Sequence, residues 1–93
     1  EADNGKLILQ NQLQNAFQQY NQNLSQYNYY KSTALPNAEI IISTAKVGFK
    51  SGDIGYIEYL QALQTATDVQ LSYLQSINQI NQSIININFL INK

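Results

Sequence analysis

Of the six acidic side chains, Asp3, Glu39, Asp53, Glu58 and Asp68 are the candidates for proton chemistry in this chain. At helical spacing none of them falls beside another, so the paired carboxylates that glycoside or proteolytic chemistry needs have no site. Histidine and cysteine are absent, which removes the commonest general base and the thiol nucleophile. The lack of Cys, His and Met also takes away the soft and borderline ligands, so no zinc or copper site is expected. Gly48 and Gly52 are four apart, but no strand precedes them and no phosphate loop is formed. No catalytic residue, cofactor or metal is expected.

The composition sets the frame for these residues. The 93-residue chain has a net charge of -1, and its charged fraction of 12% is half the usual one. Asn and Gln supply the missing polarity at about a quarter of the chain. Nothing in this balance draws the chain to nucleic acid or anionic lipid. No apolar run is long enough to span a bilayer as a helix. The start, Glu1 to Gly5, lacks a basic region followed by an apolar stretch, so any export signal is expected elsewhere in a longer parent chain.

One strong break, Gly48, Gly52 and Gly55, separates two segments with helical rhythm. In the first, Leu13, Phe17, Tyr20, Leu24, Tyr27, Lys31, Ala34, Ala38, Ile41 and Ala45 alternate in steps of four and three. That is the stripe of a helix in a coiled coil. Pro36 lies inside the pattern, which predicts a kink or short break near Ser32 to Leu35. In the second, the stripe runs through Tyr56, Leu60, Leu63, Thr67, Leu71, Leu74, Ile77, Asn81 and Ile84 to Ile87 or Asn88. Ile80, Ile85 and Leu90 widen it towards the end. Residues 84–91 are β-branched enough to suit a strand, though their phase continues that of the helix. The expected fold is all-α, a single long antiparallel helical hairpin over 1–93. Its helices span about 6–51 and 55–91, with a tip turn at 52–54. Tyr20, Tyr27, Tyr29 and Tyr30 are expected to pack rather than to stack on a ligand.

The run from Ala45 to Ala62, with Phe49, Gly52, Asp53, Ile54 and then Tyr56-Ile57-Glu58-Tyr59-Leu60, resembles the periplasmic tip of TolC-like outer-membrane efflux proteins. Ala34-Leu35-Pro36-Asn37-Ala38-Glu39 is similar to that family's mid-helix element. Gln70 to Gln75 and Ile85 to Leu90 are similar to its returning helix. The resemblance covers about Leu7 to Asn92 and is nearer to the C-terminal repeat. It implies a fragment of an α-barrel: a tunnel wall in the bacterial periplasm, trimeric in the intact parent. The implied partners are a periplasmic adaptor protein and an inner-membrane pump, and the parent is a separate channel or an appendage of a cation-efflux pump. It also implies adaptor docking at Gly48, Phe49, Ser51, Gly52, Asp53 and Ile54, and a tunnel constriction at Glu58. Gln61 departs from a family position that is often acidic, which weakens cation selectivity. For Phe49 the alternative is a staple across the turn, for Asp53 a cap on the second helix, and for Glu58 a solvated charge. For the whole chain the alternative is a self-associating coiled-coil module without a transport role. The adaptor's own hairpin is a third reading, and the lipoyl-like domains that would flank it are not in this sequence.

Overall fold

The computed structural model describes residues 2–92, with side chains from Gly5 onward. Asp3 therefore lies outside the described side chains. Among the described residues there is no strand: α1 spans Ala2–Tyr29, a π-helical turn Tyr30–Ala34, α2 Leu35–Ser51 and α3 Tyr56–Ile91. The fold is an all-α hairpin with antiparallel arms. Residues 84–91 are helical, as the phase of α3 requires. Among the described residues no helix is long and apolar enough to cross a membrane.

The π turn accounts for Pro36. A proline at this place has no N–H to return to the Ser32 carbonyl. The helix answers by widening one turn: the Leu35 N–H bonds the Tyr30 carbonyl, five residues back. Ser32 helps the widened turn by donating its hydroxyl to the Asn28 carbonyl at 2.5 Å. Pro36 then falls in the first turn of α2, where it is tolerated. The helix is neither ended nor interrupted.

The contacts divide the chain into two compact units, Glu1–Tyr27 with Ser76–Lys93 and Asn28–Gln75. In the first unit a small core of Ala16, Ile87 and Leu90 is packed by Leu9, Leu13 and Tyr20. Its inward positions on α3 are Ser76, Ile80, Ser83, Ile87 and Leu90, a strict alternation of four and three residues. In the second unit Ala38, Ala45 and Ala66 are the buried residues, and Tyr30, Ala34, Tyr59, Ala62, Val69 and Tyr73 are half-buried.

On α1 and α2 the inward stripe largely follows the expected one, with Ala38 and Ala45 buried and Leu13, Tyr20, Leu24, Tyr27 and Ala34 half-buried; on α3 it corrects it. Phe17, Tyr56, Leu60, Leu71, Leu74 and Ile84 are exposed, and Lys31 with them. Their immediate neighbours Ala16, Tyr59, Ser83 and others take the inward places. The physical reason is size. Alanine and serine let two helical backbones approach closely, and close approach leaves no room for leucine or phenylalanine in between. The large side chains are displaced to the outer faces.

Candidate functional site

The tip is built from the C-terminus of α2. Gly52 adopts φ +83° and ψ 7°, the left-handed conformation that a residue with a Cβ enters only at a cost. This reversal lets the Gly52 N–H bond the Phe49 carbonyl at 3.2 Å and the Asp53 N–H bond the Gly48 carbonyl at 2.8 Å. Those two bonds together are a Schellman motif, which satisfies carbonyls that the helix end would otherwise leave open. The Ile54 N–H adds a further bond to the Gly48 carbonyl at 3.2 Å.

Gly48 has a separate task. The Ile54 side chain lies over it so closely that an added Cβ would meet Ile54 Cγ1 at 3.4 Å. That is the limit of ordinary contact, so an alanine fits. At Gly52 there is free space but the wrong backbone angle. Gly52→Ala is therefore expected to destabilise the chain by about 1 kcal/mol, while Gly48→Ala changes it by less than about 0.5 kcal/mol. Urea unfolding followed by circular dichroism separates the two. Equal losses would show that packing, not backbone conformation, sets the turn.

Asp53 does not cap α3, contrary to its expected alternative role. The Schellman motif takes up Asp53, and Ile54 and Gly55 follow before α3 starts at Tyr56, the Gly55 carbonyl accepting the Tyr59 N–H at 3.0 Å. Asp53 is left before the helix. Its Oδ2 lies 3.0 Å from the Ser51 hydroxyl, which is also 3.1 Å from the Gly48 carbonyl and can donate to either. The acidic residue at the start of α3 is instead Glu58, in its first turn, where a carboxylate meets the positive end of the helix dipole.

Phe49 stacks on Tyr59 with ring centroids 5.0 Å apart and leans on Tyr56 at 6.0 Å. It is a staple across the turn, yet 40% of it stays exposed. Val47, Tyr56 and Ile57 near the turn are exposed as well. The tip thus joins a self-satisfied backbone to an apolar surface, flanked by Lys46, Lys50, Asp53 and Glu58. The six tip residues predicted from sequence are brought together by the turn itself. Glu58 and Gln61 are both exposed, three residues apart on α3.

A second polar arrangement was not foreseen. In the first unit Asn23 is buried, and its Nδ2 donates to Ser83 Oγ at 2.6 Å and to the Gln79 carbonyl at 3.2 Å. The Ser83 hydroxyl donates in turn to the Gln79 carbonyl at 3.0 Å, and Gln19 Nε2 donates to Asn23 Oδ1 at 3.3 Å. The two bonds from Asn23 Nδ2 cross from α1 to α3 and fix how the two helices are aligned. Asn23 follows Ala16 by seven residues, and Tyr30 follows Asn23 by seven, a signal hidden by the polarity of the middle member. The network opens on a groove of about 530 Å³ lined by amides and one hydroxyl, among them Gln26, Asn78, Gln82 and Asn86.

Tyr20 packs on the core of the first unit, and Tyr27 and Tyr30 are half-buried. Tyr29 meets Tyr30 edge to face at 5.4 Å and is otherwise exposed. Among the described residues no group of three acidic side chains could hold a metal ion. Comparison with protein-family models, with curated proteins and with solved structures gives no match for this chain.

Proposed function

We propose that this hairpin is a periplasmic tunnel-wall segment of a TolC-like efflux channel, docking an adaptor protein by its tip. The observation that carries the proposal is the tip: a turn whose backbone bonds are already satisfied, exposing Val47, Phe49, Tyr56 and Ile57. Such a surface suits a partner that reads shape and apolar area and needs no backbone pairing. The resemblance of Ala45 to Ala62 to family tips supports the same assignment.

In this function the hairpin does no chemistry. The helices form wall, the tip docks and changes the aperture, and an inner-membrane pump supplies the energy. Three copies of Glu58 about an axis would place a negative ring in the aperture, favouring cations over anions. The parent is a separate channel or a cation-efflux pump carrying the hairpin as an appendage, and both put it in the bacterial periplasm. The second reading, a self-associating coiled-coil module, draws on the many large apolar residues exposed away from the tip.

A photo-crosslinker at Ser51, in the intact parent protein in cells, tests tip docking. The expected product joins the parent to the adaptor encoded beside it and disappears when Gly52 is replaced by valine. Products containing only copies of the parent would leave the self-associating module as the function.

A further inference from the structure

Three features that the tip does not use meet at one place: the π turn, the Tyr29–Tyr30 pair and the carboxylate of Asp68. They border a cavity of about 350 Å³ that lies wholly within the second unit. Tyr29 ends α1, and Tyr30 and Ala34 are the first and last residues of the π turn. Thr65, Asp68 and Val69 line the cavity from α3, three and four residues apart and so on one helical face. A π turn inside a long helix is uncommon, and it frequently accompanies a functional site.

Each wall offers something different. Of the four tyrosines expected to pack, Tyr29 is the one that stays outside, 57% exposed. Its ring meets that of Tyr30 at 68°, with centroids 5.4 Å apart. Rings held edge to face present their π faces in two directions, and a π face carries partial negative charge. Asp68 Oδ1 accepts a bond from Gln64 Nε2 at 2.9 Å, which takes one of the about four acceptor sites of a carboxylate. The Thr65 hydroxyl is already bonded to the Gln61 carbonyl at 3.0 Å. Ala34 and Val69 add apolar surface, and no basic side chain lines the cavity.

This combination selects one class of ligand. The carboxylate turns anions away, and a neutral molecule gains nothing from its charge. A bare metal ion needs several oxygen ligands, and among the described residues no three acidic side chains gather to supply them. An ammonium group carrying small alkyl substituents suits every wall. Its charge is shared between Asp68 and the ring faces, and its alkyl shell lies against the rings, Ala34 and Val69. We infer that this cavity binds a small organic cation, an alkylated ammonium, between Tyr29, Tyr30 and Asp68. The inference rests neither on tip docking nor on a tunnel.

Titration of the chain with tetramethylammonium chloride, followed by the NMR signals of the tyrosine rings, tests it. Tyr29 and Tyr30 are expected to shift saturably with a Kd on the order of 1 mM, while sodium chloride at equal concentration leaves them in place. Asp68→Asn should weaken binding about tenfold, and Tyr29→Leu, which keeps apolar bulk but not the π face, about fivefold. Both side chains are exposed, so neither change should move the thermal midpoint. Glu39→Gln removes a carboxylate outside the cavity and should leave the affinity unchanged. Shifts that never saturate, or that sodium chloride reproduces, overturn the inference. So does an affinity untouched by Asp68→Asn, or equal binding of tert-butyl alcohol, which would make the cavity merely apolar. A failed Ser51 crosslink to the adaptor, by contrast, would remove tip docking and leave this site untouched.

Discussion

Asn23→Asp is expected to destabilise the chain by roughly 3 kcal/mol at neutral pH, a large effect for the loss of one amide nitrogen. Asn23 is 7% exposed, and its Nδ2 supplies both bonds across to α3, to Ser83 Oγ and to the Gln79 carbonyl. A carboxylate is nearly isosteric but has no hydrogen to give. Ser83 can turn its hydroxyl towards it, but the Gln79 carbonyl then faces a negative charge without a donor between them. Burial without a cationic partner raises the pKa of the new carboxyl above its unfolded value. For an acid raised in this way the penalty is present above the folded pKa and fades as pH falls through it. Urea midpoints measured at pH near 7 and again about three units lower should therefore converge with those of the unaltered chain. A loss under about 1 kcal/mol with no pH dependence would mean that water reaches Asn23 freely.

Ala66→Leu is expected to cost roughly 2 to 3 kcal/mol. Ala66 is 0% exposed on the inward face of α3, and the added atoms can enter only by pushing the helices apart. The informative comparison is Leu71→Ala, five residues on and 53% exposed, which should change stability by less than about 0.5 kcal/mol in the isolated chain. An alanine that cannot be enlarged and a leucine that can be lost invert the ordinary ranking of core residues. Thermal unfolding of the two variants side by side decides the matter. If Ala66→Leu is neutral, the close approach of the helices is not what the small residues are for.

The hairpin was legible in the sequence because glycine is scarce and three of its four occurrences sit where the chain reverses. The contiguous tip residues were legible for the same reason. The inward stripe was legible along most of α1 and α2, where Ala38 and Ala45 were expected and are buried, but not along most of α3. There a pattern traced through Leu60, Leu71 and Ile84 follows hydrophobicity, whereas the contact between the helices follows smallness, through Ala66, Ser76 and Ser83. Alanine and serine carry almost no hydrophobic signal, so the eye moves one residue along to the larger neighbour. Pro36 announced a disturbance, but its form depends on which carbonyl accepts the Leu35 N–H, and that is a property of the folded backbone. Asp53 misled through its type: an acidic residue after a glycine reads as a cap until Ile54 and Gly55, which stand between it and α3, are counted.

The π turn at Tyr30–Ala34 has a consequence for how the length of this chain can vary. Each residue removed from a helix rotates everything beyond it by about 100°, so a deletion within α3 would turn its small-residue face out to water. The π turn already holds one residue more than an α-helical path requires. Tyr30 and Ala38, which share the inward face, are eight positions apart where a heptad would give seven. Losing one residue between them would relax the wide turn into an ordinary one and return Ala38 to its place. Here the helix carries slack, and descendants one residue shorter at this point would keep the same face inward.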